Sequence, residues 1–340
     1  MKEDKFVIDD NMKEALRACA SENPETAGNA RKAFAAQLVA PIRKAVIVEG
    51  NTIGNIYSTV NVNKDEALRY PIDIINPDHV DDFSAYVMPR HGGIPEKHVD
   101  GDEIFVKTYK IENSIDWDLD LANDANWDVV GRAIKIFRDG FTKKLNDDGW
   151  KTILYGAYNG GTKSTITCDG DSSAVSGIFS HRLVSKAQNA MARIERGAKL
   201  TDLYVSPEAF KDLRDSATYV NSENFMDDRT RYELLQKPGS QPTESLFGVR
   251  INELYDFGAG QAYQNEWTSI TGDSTYDEIG IGFDLTDDHR DSFVFALRGD
   301  LEVFDDMELH KKGRMGVYGW MRVGFAVLNA NRLLSIGWRA

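Results

Sequence analysis

An α+β fold is what this sequence predicts, and three stretches predict it. Between Asn123 and Tyr158, apolar Trp127, Val130, Ile134, Phe137, Phe141 and Leu145 recur at three- and four-residue spacing. Arg132, Lys135, Arg138, Lys143 and Lys144 stand between them, the pattern of one long helix with a single apolar stripe. From Gly50 to Ile115 the texture is instead short β-prone runs separated by turn formers. From Leu301 onward the chain reads as long strands, punctuated by Gly316, Gly319 and Gly324 and free of proline.

The chain has 340 residues, 41% of them hydrophobic, enough to bury a sizeable core and to divide into two or more domains. Its formal net charge is −14. Such a balance disfavours gripping phosphate backbones, which takes clustered Lys and Arg, and suits a surface past which nucleic acid slides. Cys19 and Cys168 form no CxxC pair or ligand cluster, so they read as reduced thiols of a cytosolic setting. No apolar run approaches the ~18 residues of a membrane span. Met1 is followed by Lys2, Glu3 and Asp4 rather than by the apolar core of a cleavable signal.

Residues 1–48 read as a mostly helical arm, with Leu16, Ala20, Phe34, Leu38 and Val39 apolar and Asn23-Pro24 dividing it. Its apolar bulk is too small for a core, leaving a frayed terminus or an arm lying on a neighbour. In the next stretch, Ile53–Val62, Tyr70–Ile75, Ala85–Met88 and Ile104–Ile111 are the strand candidates. Asn76-Pro77-Asp78, Pro89, Gly92-Gly93, Pro95 and Asp100-Gly101-Asp102 are the turns between them. Together they predict an extended antiparallel excursion with little core of its own, reaching toward another subunit.

Asn123, Asp124 and Asn126 offer caps for the long helix, and Asn159-Gly160-Gly161 ends it. At ~1.5 Å per residue the helix is about 50 Å long. Gly131, Gly140 and Gly149 inside it predict a bend or a close approach of another backbone. Ser180 is placed to cap a second amphipathic helix carrying Leu183, Val184, Ala187, Met191 and Ile194 and ending at Gly197. Leu200–Val205 is a short buried strand, and Ser206-Pro207 is a cap plus first-turn proline opening another helix through Phe210 and Leu213. Ser216–Thr243 is polar and predicts a loop. Further strand candidates are Leu246–Leu254, Ile279–Leu285, Ser292–Leu297, Leu301–Phe304, Arg314–Phe325 and Phe325–Ile336.

That order of elements resembles the major capsid proteins of tailed phages, the Hong Kong 97 fold shared with encapsulin shells and herpesvirus capsid floors. Tyr109 to Ile115 entering the acidic linker Asp116–Asp124, then a helix ending Leu154-Tyr155-Gly156, is similar to the family's entry into its spine helix. Leu203 to Glu208 resembles its axial-domain strand and following helix. Leu246-Phe247-Gly248-Val249-Arg250-Ile251 resembles its leucine–x–glycine strand, and Arg314–Phe325 its closing strand. The resemblance implies an N-terminal arm at 1–48 and an extended E-loop at 49–115. It implies a peripheral (P) domain at 116–177 and 286–326, with the spine helix at about 124–158. It implies an axial (A) domain at 178–285 and 327–340. It further implies self-assembly into the hexamers and pentamers of an icosahedral shell that encloses double-stranded DNA without sequence-specific binding. Portal and decoration proteins are the implied partners, and the arm of under fifty residues implies scaffolding that is a separate protein or dispensable. The implied location is the virion, assembled in the host cytoplasm, with no membrane involved. An encapsulin-type compartment is the alternative on the same fold. Lys64, Lys97 and Lys107 lie in the ribbon, but the Asn and Glu partners of the family's covalent cross-link have no match.

Several clusters of chemistry-bearing residues stand beside that resemblance. His79, His91 and His98 with Asp78, Asp81 and Asp82 match no metal-ligand spacing, and turn-rich ribbons collect such residues. Asp227-Asp228, Asp287-Asp288 and Asp305-Asp306 are the paired carboxylates that an acidic hydrolase, the alternative from another class, would need across a cleft. Among 54 acidic residues such pairs arise freely on solvated faces. Gly258-Ala259-Gly260 lacks the Lys-Ser/Thr of a phosphate loop. His181 and His289 stand in polar surroundings as hydrogen-bonding residues rather than bases. No catalytic, cofactor-binding or metal residue is assigned, no cofactor is expected, and the reading is of a structural protein rather than an enzyme.

Overall fold

The computed structural model describes residues 29–30, 52–63, 68–73, 101–118, 127–159, 166, 178–194, 198–216, 244–272, 276–286, 290–299, 301–310 and 314–338. In chain order these form β1 (Ser58–Val62), β2 (Arg69–Asp73), β3 (Gly101–Phe105), β4 (Tyr109–Asp118) and α1 (Trp127–Asn159). Next come α2 (His181–Ile194), β5 (Asp202–Val205), α3 (Pro207–Ser216), β6 (Glu244–Leu246), β7 (Val249–Glu253) and α4 (Ala262–Thr271). The chain finishes with β8 (Glu278–Phe283), β9 (Phe293–Arg298), β10 (Glu302–Asp305), α5 (Met307–His310), β11 (Arg314–Val327) and β12 (Leu333–Trp338). Two compact units result. One draws on 1–68, 106–149 and 294–326, the other on 69–105, 150–293 and 327–340.

In the first unit, β11 is the central strand, paired antiparallel with β10 and with a ten-residue stretch of β4. Strands β1 and β9 complete the sheet. Alternation along β11 sorts its residues between two faces, as the pleat requires. Met315, Val317, Met321 and Val323 are buried, while Arg314 and Arg322 are exposed and Tyr318 and Trp320 half-buried. The stripe of α1 meets this unit's core as its spacing predicts: Ile134, Phe137, Phe141 and Leu145 are all buried. Asn113 on β4 donates to the Phe137 carbonyl at 2.9 Å, and Tyr57 donates its hydroxyl to the Gly149 carbonyl at 3.0 Å.

Gly319 makes the close contact between sheet and helix possible. A Cβ there would stand 2.9 Å from the Glu302 carbonyl oxygen and 3.1 Å from the Phe137 ring. One obstacle is backbone and the other a fully buried ring, so neither can yield cheaply. Gly319→Val is expected to destabilise the subunit by about 1–3 kcal/mol through overpacking, measured by denaturant unfolding. An unchanged midpoint would mean the sheet and helix separate freely at that point.

The second unit has a five-stranded sheet in the order β12-β8-β5-β7-β6, with β5 and β7 parallel and the other pairs antiparallel. Every residue of β5, β8 and β12 is buried, as strands covered on both faces should be. A cluster on this sheet joins Leu183, Val184, Ala187 and Met191 of α2 to Leu203, Val205, Ile251 and Leu334. A second, aromatic group centres on fully buried Trp150, whose ring centroid lies 5.2 Å from Tyr204, 5.5 Å from Phe257 and 6.0 Å from Phe283. Strands β2 and β3 form a separate antiparallel pair.

Several expectations need correction. Ile53–Val62 belongs to no antiparallel excursion: Thr52–Asn55 is a 3-10 turn, and β1 pairs parallel with β9, Ser58 facing Val294. Ile104–Ile111 is not one strand but the end of β3 and the start of β4, parted at 106–108. Phe325–Ile336 is broken by a 3-10 turn at Ala330–Arg332. Ser180 precedes α2 but does not cap it through its hydroxyl, which finds no partner among the described residues; its carbonyl accepts from Leu183 instead. Helix α2 is described as far as Ile194, and its expected end at Gly197 lies outside the described residues; α4 has no counterpart among the expected elements. The arm (apart from residues 29–30), Ala85–Met88 and the 216–243 loop beyond Ser216 lie outside the described residues.

Candidate functional site

The side of the first unit's sheet carrying the even-numbered residues of β11 presents chemistry to solvent. Tyr318 and Trp320 on β11 stand opposite Phe304 and Glu302 on β10. The three rings form a stack, Phe304 lying 4.7 Å from Trp320 and 5.6 Å from Tyr318. Trp320 donates its indole N–H to Glu302 at 2.9 Å, and the Lys110 ammonium sits 3.8 Å over its ring. Lys110 is also paired with Glu112, and Arg314 with Asp116 at 2.9 Å. Beside Trp320 lies a shallow cleft of about 270 Å³ lined by Lys110, Arg298, Glu302 and Arg322 among others. This face combines aromatic area with neighbouring charges of both signs, and aromatic residues and Arg are enriched at contact surfaces.

Farther along, Tyr109 donates to Asp148 at 2.7 Å, and Lys144 bonds the other carboxylate oxygen at 2.7 Å. Burial first, then the Asp148 carboxylate, push the Tyr109 phenol well above its ordinary range. It stays protonated and ties β4 to α1.

Two buried acids in the second unit deserve the test that an acidic hydrolase demands. Glu278 opens β8, 4% exposed, and accepts from the Ser206 hydroxyl at 2.7 Å and the Trp338 indole at 3.0 Å. Burial pushes its carboxyl up, and those two hydrogen bonds only partly offset that. Asp284 follows β8, fully buried, and accepts from Arg332 at 2.7 Å, the Thr286 hydroxyl at 2.8 Å and the Lys199 amide at 3.1 Å. Burial alone would raise the Asp284 carboxyl, but the hydrogen bonds outweigh it and hold the group below its ordinary value. Opposite shifts are what an acid and its partner carboxylate show. Geometry denies the pairing, because six residues of strand separate them by about 20 Å, twice the widest glycosidase spacing. Each is instead held by its own hydrogen bonds within the second unit.

Ser206 shows why. Its oxygen accepts from the Ala209 amide at 3.2 Å, capping α3, while its proton goes to Glu278. The cap and proline were legible in sequence; the acid, far along the chain, was not. Ser206→Ala is expected to cost about 1–2 kcal/mol in a thermal or denaturant melt, the value of a lost N-cap. It should also move the Glu278 carboxyl further up, since a hydrogen bond favouring the charged form is gone.

The other residues weighed in sequence do not converge. Asp306 accepts from the Glu308 amide at 3.1 Å as a turn cap, next to Asp305 at the end of β10. The Gly258 position faces the Glu208 carboxylate, 3.0 Å from where a Cβ would be, which would repel a phosphate. His181 opens α2, its imidazole pushed down by burial and then by Arg182. Lys107 is exposed between β3 and β4. His79, His91, His98, His289, Asp78, Asp81, Asp82, the Asp227 and Asp287 pairs, both cysteines, Lys64 and Lys97 lie outside the described residues. Among the described residues no group of three or more His, Cys, Asp or Glu side chains is placed to hold a metal, and no helix is long and apolar enough to cross a membrane.

No protein-family model and no curated protein matches the sequence. Solved structures do match. A chain of Microbacterium phage Oxtober96 superposes with a TM-score of 0.56 at 10% identity, covering 85% of this chain and 91% of that one. The capsid of cyanophage P-SCSP1u gives 0.57 at 12% identity over 86% and 88%. The mature capsid of bacteriophage PhiM1 gives 0.52 at 14% identity over 85% and 87%. The fold is that of a phage capsid protein. At these identities the capsid fold is shared while the residues on its surface are this chain's own. The match spans most of the sequence, so the α+β expectation and the resemblance to capsid proteins both hold.

Proposed function

We propose that this chain is the major capsid protein of a tailed, double-stranded-DNA phage, a structural protein of the Hong Kong 97 kind. It assembles into hexamers and pentamers of an icosahedral head. The observation that carries the reading is the capsid fold extending over about 85% of the chain in several phage structures. Two further features support it. The buried acids are fixed by hydrogen bonds at positions too far apart for hydrolysis, and the aromatic face of the first unit has the make-up of a contact surface. On this reading the first unit is the heart of the peripheral domain and the second that of the axial domain. Residues 1–48 serve as the arm, and within 49–115 the separate antiparallel pair β2–β3 belongs to the E-loop. A separate scaffolding protein, a portal and a decoration protein are the expected partners, and the virion, assembled in the host cytoplasm, is the location.

Light scattering and negative-stain microscopy on the protein, expressed alone and with its neighbouring genes, test this. Rings, shells or tubes of many copies are expected, with DNA rather than a cargo enzyme inside complete shells. A monodisperse monomer or dimer under both conditions would sink the capsid reading, and a packaged enzyme would replace it by an encapsulin compartment.

A further inference from the structure

The β6–β7 hairpin turns through two residues, Phe247 and Gly248, with Leu246 facing Val249. Both turn residues have positive φ, 54° at Phe247 and 82° at Gly248. That is the type I′ turn, whose twist suits a hairpin and whose first position favours Asn, Asp or Gly. Among the described residues, Phe247 is the only non-glycine residue with positive φ. A bulky aromatic residue in the left-handed region is a strained choice.

Core packing does not account for that choice. Phe247 is 52% exposed, whereas adjacent Leu246 is 1% exposed. Gln188 of α2 donates to the Phe247 carbonyl at 3.0 Å, a bond that any residue at this position would keep. The hairpin thus holds out a large apolar ring on a fixed base, at a cost the lone subunit does not recover.

We propose that Phe247 is an assembly anchor, its ring entering an apolar pocket on a second copy of this chain. This rests on the capsid reading and specifies one contact within it. Aromatic side chains dominate interface energetics, and a tight turn presets the ring so that docking orders little else. A second copy is the occupant that repetition supplies. Each subunit presents the same tip, and a tip-to-pocket contact between different surfaces builds rings where its rotation closes.

Phe247→Asn tests this because strain and docking predict opposite signs. Asn suits the turn, so Tm of the unassembled variant should rise by a few degrees. The protein concentration at which multimers appear in light scattering should rise at least about tenfold, the loss expected of an interface anchor. Phe247→Tyr keeps both ring and strain and should assemble like the parent. Assembly of F247N at the parent's concentration would overturn the anchor while leaving the capsid reading intact. Failure of the parent protein itself to form multimers, alone or with its neighbouring genes, would overturn both.

Discussion

Replacing Arg332 by Met is expected to cost the unassembled subunit about 3–5 kcal/mol, read as a fall in the denaturant midpoint with an unchanged slope. Arg332 is 3% exposed and Asp284 fully buried, and they meet at 2.7 Å. The mutation leaves a carboxylate deep in the second unit with only the Thr286 and Lys199 donors to neutralise it. The double variant R332M/D284N removes that stranded charge while keeping an acceptor for those donors. It should recover part of the loss, and a cycle showing no coupling would mean that the pair contributes no more than its packing.

The same pair gives a pH dependence whose sign is fixed. Asp284 is held below its ordinary value of 3.8, so the unfolded chain takes up its proton first as pH falls. The stabilisation is fully present above that ordinary value and is lost as pH drops through the lowered one. Glu278 acts in the other direction. Its carboxyl is raised above the ordinary 4.5, so its contribution is present below that value and lost as pH climbs through the raised one. Melts across the acid range should therefore show a shallower low-pH limb in D284N than in the parent.

Trp150→Ala is the second large effect expected, about 3–5 kcal/mol, the range for emptying a large aromatic from a packed interior. Its ring is edge-on to Tyr204, Phe257 and Phe283 and tilted against Tyr263 at 5.9 Å. Four aromatic walls cannot all collapse into the vacated space, so a cavity remains. Near-ultraviolet circular dichroism should flatten along with the fall in stability. Trp150→Phe, which keeps an edge for these neighbours, should cost well under half as much, and equal losses for the two variants would mean that ring packing is not what Trp150 supplies.

What was legible in the sequence was whatever repeats within one element. The stripe through Ile134, Phe137, Phe141 and Leu145, the face of α2 and the Ser206-Pro207 start of α3 are local patterns, and each is found in place. Helix α4 escaped because Tyr263, Trp267, Thr268 and Ile270 are residues that strands favour, and its buried side, Tyr263, Gln264 and Trp267, includes a polar residue. The usable signal was Gly272, which ends the helix at φ 67° with its amide on the Thr268 carbonyl. Pairings between distant segments were out of reach. Nothing local in Glu278 announces Ser206 or Trp338, and nothing in Ser58 announces Val294. Leu246–Leu254 reads as a strand candidate in sequence, and the turn at Phe247 with its strain became visible only with backbone angles.

The partnership of β1 with β9 has a consequence for synthesis. Ser58 leaves the ribosome early, and Val294, its partner in the ladder, leaves near the end. At about 5–20 residues per second, β1 waits on the order of 10–50 s before its parallel neighbour exists. The other sheet waits as well, since β12, the partner of β8, is the last strand of the chain. Neither unit can close before its late strand has been made, so folding is slowed by long-range pairing. Until those late strands are made, β1 and β8 stand with unpaired edges that chaperones can bind.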